Sequence, residues 1–104
     1  GLKNTSLEAK IDNFSSWMTY SSDHQLKKDV EGLIIGSGFT VLKFVDHAFE
    51  PQGYTALWLL AESHCALHTF PEEQKAYLEI SSCNSEMYVN FVIAYHQYIK
   101  DGKN

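Results

Sequence analysis

The side chains that could do chemistry are concentrated between Ala61 and Glu72. The polar members of this stretch are Glu62, Ser63, His64, Cys65, His68, Thr69 and Glu72. A serine near a histidine suggests a nucleophile with its base, and a pair of histidines suggests a metal site. Both ideas depend on which of these side chains can meet, so the local backbone decides between them. The alternative to either is an amphipathic strand on a protein surface.

Strand geometry argues against both sites within one chain. Histidines four residues apart are neighbours on a helix, but this stretch has the pattern of a strand, where His64 and His68 are separated by about 13 Å. We therefore expect no metal site. Ser63 and His68 lie about 16 Å apart on opposite faces of such a strand. If these two side chains work together, they must come from different copies of the chain; a turn hydroxyl and a surface histidine remain the alternative.

Each cysteine has a structural alternative to a chemical role. Cys83 lies at the predicted junction of a strand and a helix, and a thiol at a helix N-terminus is often reactive. A small buried filler is the alternative for such a lone cysteine. We expect Cys65 to serve packing and Trp58 to lie in the core. We expect Phe91, Tyr95 and Tyr98 of the last helix to lie in the core and at its rim.

The composition fits one domain spanning residues 1–104. Apolar residues make up 44% of the chain and aromatic residues 13%, enough for one core, and oligomerisation would bury further surface. A net charge of -5 without a basic block argues against a nucleic-acid or anionic-membrane partner. Two cysteines are too few for a disulfide framework. No membrane-length apolar run or signal-peptide pattern is present, so we expect a cytoplasmic protein.

Hydrophobic periodicity predicts the elements that position these residues. Helical spacing predicts a helix over Asp23–Ile34, with Ser22 or Asp23 as N-cap, and a last helix that begins at Asn84 or Ser85. The predicted strands are Ser6–Phe14 at an edge, Phe39–Phe49, Tyr54–Leu60 at the centre, His64–Phe70 and Lys75–Ser82, with a connection over Ser15–Ser22 and turns at Glu50–Gly53 and Pro71–Gln74. This order predicts an α+β, two-layer sandwich, in which two helices cover one face of a largely antiparallel sheet.

Four short motifs follow one another along the chain. They are Phe49-x-Pro51-x-Gly53, Glu62-Ser63-His64, His68-Thr69-Phe70-Pro71-Glu72 and Cys83. In order and spacing these motifs resemble the bacterial S-adenosylmethionine decarboxylase proenzyme family, and the resemblance covers most of the chain from residue 39 to 84. The chain departs from the family pattern at three places. Thr55 replaces a serine, Ser82-Cys83-Asn84 replaces Thr-Cys-Gly, and Glu73-Gln74-Lys75 replaces an aromatic-Gly-aromatic run.

The resemblance implies a self-processing, pyruvoyl-dependent decarboxylase. Ser63 would attack the carbonyl of Glu62, and elimination would cut the chain between them and leave a pyruvoyl group where Ser63 stood. A substrate amine would form a Schiff base with this ketone, which would act as an electron sink when carbon dioxide leaves. His68 and Thr55 would assist processing, and Cys83 would protonate the product carbon.

The resemblance also implies a substrate and a partner. S-adenosylmethionine would be converted to the aminopropyl donor for spermidine synthesis, with Phe49 and His68 flanking the adenine, Glu72 binding the ribose hydroxyls and His64 contacting the substrate. In this family the active site lies at a homodimer interface. One protomer would supply Ser63, His64 and Cys83, and the other Phe49, Thr55, His68 and Glu72. This division agrees with the separation that strand geometry imposes.

Two other functions remain open. The changed segment after Glu72 borders the substrate pocket, so one alternative is a pyruvoyl-dependent decarboxylase of another amino acid, such as ornithine or arginine. The second alternative is an unprocessed, non-catalytic homologue that binds a ligand or a partner. Cleavage separates the second alternative from the other two functions, and substrate choice separates the two decarboxylases.

Overall fold

An antiparallel sheet organises residues 10–104, the part of the chain that the computed structural model describes. Within these residues the sheet has five strands in the order β1-β5-β4-β3-β2. The strands are β1 (Asp12–Thr19), β2 (Val41–Ala48), β3 (Tyr54–Leu60), β4 (Ser63–Phe70) and β5 (Lys75–Ser82). The helices are α1 (Asp23–Gly36) and α2 (Ser85–Lys100). The predicted α+β class and the predicted antiparallel sheet are confirmed.

Alternation along β3 and β5 divides the sheet into a covered face and an open face, whereas a register shift between Val41 and Lys43 interrupts it in β2. On the covered face, Ala56, Trp58, Leu67 and Leu78 are completely buried. Both helices pack on this face. Their buried side chains are Leu26, Val30 and Ile34 of α1 and Phe91, Tyr95 and Tyr98 of α2. The core therefore lies between the sheet and the helices, as a two-layer sandwich requires.

The expected core residues are buried as predicted. Trp58 is fully buried and its indole N–H donates to Glu31 Oε1 on α1 over 3.0 Å. Cys65 is 1% exposed and packs in the same core. Burying a large apolar side chain such as Leu67 contributes about 1.5–3 kcal/mol to stability. Tyr54–Leu60 was predicted at the centre of the sheet; β3 is an interior strand, but the middle strand is β4.

Both helices begin at side-chain caps. Ser22 Oγ accepts the backbone N–H of Gln25 at the start of α1, and Asn84 Oδ1 accepts that of Met87 at the start of α2. Helix α1 continues to Gly36, two residues beyond its predicted end. Asn84 has φ -101° and ψ 101°, an ordinary extended conformation that does not require glycine. The family's glycine is therefore not needed here for backbone reasons.

The prediction of the first strand was wrong in its extent. The strand runs over Asp12–Thr19 and pairs with β5 along its whole length, so most of the expected connection Ser15–Ser22 is strand. Residues 6–9 of the predicted strand lie outside the described residues. Two side chains concealed the alternation, because the polar Ser16 faces the core and the apolar Trp17 faces outward. Tyr95 satisfies Ser16 by donating to its hydroxyl over 2.7 Å.

Candidate active site

A tight turn between β3 and β4 carries the expected cleavage point. Leu60 pairs with Ser63 across the hairpin, so Ala61 and Glu62 form the turn. Glu62 has φ 60°, a left-handed conformation that costs a non-glycine residue about 1–2 kcal/mol. Its carbonyl oxygen accepts the backbone N–H of Cys83 over 3.2 Å. The end of β5 therefore holds the carbonyl that Ser63 would attack.

The hydroxyl of Ser63 is buried and hydrogen-bonded on the covered face. Ser63 is 8% exposed, and its hydroxyl donates to Ser82 Oγ over 2.7 Å. Ser82 Oγ also accepts the backbone N–H of Asn84 and donates to the Asn84 carbonyl, over 2.9 and 3.2 Å. Both atoms that self-cleavage would join, the Ser63 oxygen and the Glu62 carbonyl carbon, are thus fixed by contacts to Ser82 and Cys83.

A cavity of about 300 Å³ opens beside this turn, and we call it the serine pocket. Its lining includes Glu62, Ser63, His64, Ser82 and Cys83. Cys83 is exposed and not disulfide-bonded, so the alternative of a buried filler is wrong for this residue. A thiol, a buried hydroxyl and a hydrogen-bonded carbonyl therefore share one cavity at the end of the sheet.

A second cavity, of about 270 Å³, lies at the other end of β4, and we call it the histidine pocket. Its lining includes Phe49, Thr55, His68, Phe70 and Glu72. Thr55 Oγ1 and His68 Nδ1 are 3.0 Å apart across the β3–β4 ladder and share a hydrogen bond. The threonine at position 55 therefore places a hydroxyl in contact with the histidine.

The turn before β3 shapes the rim of the histidine pocket. The backbone N–H of Phe49 donates to the carbonyl of Gly53 over 2.8 Å, which closes the predicted turn. Gly53 has φ 107°, a conformation that side-chain-bearing residues rarely adopt. The Phe49 ring is 49% exposed and meets the His47 ring edge-on, with centroids 4.6 Å apart. An aromatic surface is therefore presented at the mouth of the pocket beside Glu72.

Within one chain, the serine pocket and the histidine pocket are separate. Ser63 begins β4 with its side chain on the covered face, whereas His68 lies five residues later on the open face. That length of strand corresponds to about 16 Å. One chain thus brings Ser63, His64 and Cys83 together, and separately brings Phe49, Thr55, His68 and Glu72 together.

Sequence reasoning missed the contacts made by the end of β5. In the sequence, Ser82 is only a departure from a motif and is not among the predicted site residues. The contact between Ser63 and Ser82 could have been predicted from the hairpin. If Phe70 pairs with Lys75 across the turn, counting back along both strands pairs Ser63 with Ser82. The contact between Glu62 and the Cys83 backbone could not be found from residue types, since it involves main-chain atoms alone.

Burial determines the protonation of two groups near the site. Burial raises the pKa of the Cys65 thiol far above its ordinary value, so this cysteine stays neutral and serves packing. Burial also raises the pKa of Tyr54, and the hydrogen bond from its hydroxyl to Asp46 Oδ2, over 2.6 Å, adds to the effect. Tyr54 lines the histidine pocket as a neutral phenol.

Neither a metal cluster nor a membrane-spanning helix is found in the described part of the chain. Across residues 10–104, no group of three or more His, Cys, Asp or Glu side chains could hold a metal ion. The helices within the same range are too short or too polar to cross a membrane.

Comparison with known proteins gives consistent results. A sequence profile of the S-adenosylmethionine decarboxylase family matches residues 18–100. The S-adenosylmethionine decarboxylase proenzyme of Prochlorococcus marinus (strain MIT 9313) is 46% identical over 50 residues, covering 48% of this chain and 40% of that protein. The proenzyme of Brevibacillus brevis is 39% identical over 70 residues, covering 67% and 53%. The matches to these curated relatives thus span about half of their length or less.

A solved structure matches the fold. The crystal structure of the adenosylmethionine decarboxylase from Aquifex aeolicus superposes with a TM-score of 0.62 at 21% identity, covering 81% of this chain and 77% of that one. At this identity the match concerns the fold alone. The family profile, by contrast, covers most of the chain and includes every residue named above for the two pockets. The chain belongs to the S-adenosylmethionine decarboxylase family.

Proposed function

We propose that this chain is the self-cleaving precursor of a pyruvoyl-dependent decarboxylase that acts on S-adenosylmethionine. Its product is the decarboxylated aminopropyl donor used in spermidine synthesis. One observation carries the proposal. Ser63 Oγ is held by Ser82 while the adjoining Glu62 carbonyl is held by the Cys83 N–H. Such a fixed hydroxyl beside a polarised carbonyl is what an intramolecular attack on a peptide bond needs.

Self-cleavage begins with attack of the Ser63 hydroxyl on the Glu62 carbonyl carbon, which turns the peptide bond into an ester. The Cys83 N–H stabilises the negative charge that develops on the carbonyl oxygen. Loss of the Ser63 Cα proton then breaks the bond between Oγ and Cβ and releases a chain that ends at Glu62. Water replaces the Ser63 nitrogen, which leaves as ammonia, and a pyruvoyl group remains.

The serine pocket fits this prosthetic group because its precursor, Ser63, is part of the cavity wall. The pyruvoyl group supplies an electrophilic ketone that withdraws electrons from a bound amine when carbon dioxide leaves. The exposed Cys83 thiol in the same cavity is the proton donor to the product carbon. His64, which also lines this cavity, contacts the substrate.

The histidine pocket suits the adenosine part of the substrate. The half-exposed Phe49 ring offers a face on which a purine can stack, with the His68 ring on the other side. The exposed Glu72 carboxylate accepts hydrogen bonds from the ribose hydroxyls. Aromatic faces also attract a sulfonium cation, in agreement with the net charge of -5. These contacts favour S-adenosylmethionine over ornithine or arginine.

A homodimer with shared sites joins the pockets. Each serine pocket faces the histidine pocket of the partner, since the separation along β4 keeps them apart within one chain. The open face of the sheet supports this arrangement. Val45, Leu57 and Leu59 on that face are 61%, 44% and 47% exposed, and they line an apolar cavity of about 380 Å³. A second copy of the chain removes this apolar surface from water.

Intact-mass measurement of freshly made protein tests the proposal. We expect the full-length chain to be replaced by fragments that end at Glu62 and begin at the former Ser63, and we expect Ser63→Ala to remain whole. Carbon dioxide release is then measured with S-adenosylmethionine, ornithine and arginine. A wild-type chain that stays whole supports the non-catalytic alternative. Release from ornithine or arginine alone supports the other decarboxylase.

A further inference from the structure

The hydroxyl of Ser82 is the direct partner of the nucleophile in the proposed self-cleavage. Ser82 is 1% exposed and Ser63 is 8% exposed, so water competes little for the hydrogen bond between them. Ser63 is the donor in this bond, over 2.7 Å, which leaves the lone pairs of its oxygen available for attack. The bond therefore selects one orientation of the Ser63 side chain.

Ser82 cannot turn away from Ser63 without losing contacts to the backbone. Its oxygen accepts the N–H of Asn84 over 2.9 Å, and its hydroxyl donates to the carbonyl of Asn84 over 3.2 Å. A hydroxyl has one proton and two acceptor positions, and the bond from Ser63 uses the remaining position. Ser82 is therefore a fixed acceptor, next in sequence to the residue whose N–H holds the Glu62 carbonyl.

We propose that Ser82 is a positioning residue for the attack of Ser63 on the Glu62 carbonyl, an inference that rests on the proposed self-cleavage. In this step the bond between Ser63 Oγ and the carbonyl carbon forms and the peptide C–N bond breaks. The hydroxyl proton ends on the freed Ser63 nitrogen, so the step balances without a co-reactant. Misplacing a reacting atom by about 1 Å can cost about 10²-fold in rate, which is why a fixed acceptor matters.

Ser82 and His68 act on different steps. Ser82 touches the attacking oxygen and therefore affects formation of the ester. We assign removal of the Ser63 Cα proton in the second step to His68 of the partner chain, which lies in the histidine pocket, so His68 affects opening of the ester. Hydroxylamine distinguishes the steps, because it cuts an ester and leaves a fragment that begins with an unmodified Ser63.

The experiment follows full-length chain made by cell-free translation, with and without hydroxylamine, and identifies each fragment by mass. We expect Ser82→Ala to slow the loss of full-length chain by tenfold or more, with no fragment released by hydroxylamine. Ser82→Thr keeps the hydroxyl and should cleave faster than Ser82→Ala. Ser82→Val has the shape of threonine but lacks the hydroxyl, and it should cleave as slowly as Ser82→Ala. Ser37→Ala removes a buried hydroxyl outside both pockets, bonded to the Leu33 carbonyl, and cleaves like the wild type.

Each outcome of this experiment supports or overturns the role of Ser82. Wild-type cleavage together with equally fast Ser82→Ala overturns the inference alone. Accumulation of a hydroxylamine-sensitive ester in Ser82→Ala also overturns it, since Ser82 would then act in elimination. If Ser82→Ala fails to fold by circular dichroism, equal rates for Ser82→Thr and Ser82→Val overturn the inference and unequal rates support it. A wild-type chain that stays whole even in hydroxylamine overturns self-cleavage and the inference with it.

Discussion

Complementation between two inactive chains should restore self-cleavage if each site takes its two pockets from different protomers. The perturbation is a pair of variants, Ser63→Ala and His68→Ala, produced together with different affinity tags. In one chain these residues lie on opposite faces of β4 and line different cavities. In a mixed dimer with shared sites, one site therefore carries both substitutions and the other carries neither.

The geometry sets the expected yield. Random association makes about half of all dimers mixed, and one of the two sites in each mixed dimer is intact, so about one quarter of all chains should be cut. Every cut chain should be the His68→Ala chain, because that chain keeps its serine and borrows His68 from its partner. Alone, the His68→Ala homodimer lacks the base at both sites and should cleave about 10²- to 10⁴-fold more slowly.

Mixed dimers are purified through both tags, and the cut chain is identified by intact mass. His24→Ala, which removes an exposed histidine of α1 outside both pockets, serves as the matched single variant and should cleave like the wild type. Mixed dimers that remain whole would refute the shared site. A His68→Ala homodimer that cleaves at the wild-type rate would refute the role of His68 as the base.

Three further predictions concern single residues. Cys83→Ala should still cut itself, because the N–H that binds the Glu62 carbonyl belongs to the backbone. Steady-state carbon dioxide release should fall about 10²- to 10⁴-fold, because turnover requires protonation of the product carbon; loss of cutting in a folded variant would contradict this. In a Ser63→Ala background, Asn84→Ala should lower the free energy of unfolding in urea by about 1 kcal/mol and Asn84→Gly by a few tenths, because Asn84 caps α2; equal losses would argue against the cap. Burial, with the bond to Asp46, raises the folded pKa of Tyr54 above its unfolded value of 10.0, so its contribution to stability is complete below pH 10 and is lost as the pH rises through the folded value. Tyr54→Phe should therefore flatten the decline of melting temperature above pH 10 relative to the wild type, and an unchanged slope would contradict the shift.

Most of the fold could be predicted because β5 alternates cleanly and β3 is a nearly continuous apolar run, although a register shift between Val41 and Lys43 interrupts the alternation of β2. The predicted strands Tyr54–Leu60 and Lys75–Ser82 coincide with β3 and β5, and Asn84 was named as a cap. The first strand failed because its alternation depends on a tertiary contact. Ser16 can face the core only because Tyr95, far away in sequence, donates to its hydroxyl. Periodicity cannot anticipate such a partner.

The grouping of the candidate site residues into two pockets was predictable, but their hydrogen bonds were not. A rise of about 3.3 Å per strand residue was enough to separate Ser63 from His68. The left-handed conformation of Glu62 was not predictable, because positive φ at the second residue of such a turn is typical of glycine or asparagine and glutamate gives no signal for it. The hydrogen bond from the Cys83 N–H to the Glu62 carbonyl depends on where β5 ends relative to that turn.

The register of β4 against β5 ties both pockets to the hydrophobic core. The ladder pairs Ser63 with Ser82 at one end and His68 with Tyr77 near the other, with Leu67 opposite Leu78 between them. A slip of one residue would move every side chain of β4 to the opposite face, exposing Leu67 and separating Ser63 from Ser82. The burial of Leu67 therefore stabilises the register that places Ser63 beside Ser82, and the same register places His68 on the open face. A core substitution that loosens this ladder should impair cleavage even though it touches neither pocket.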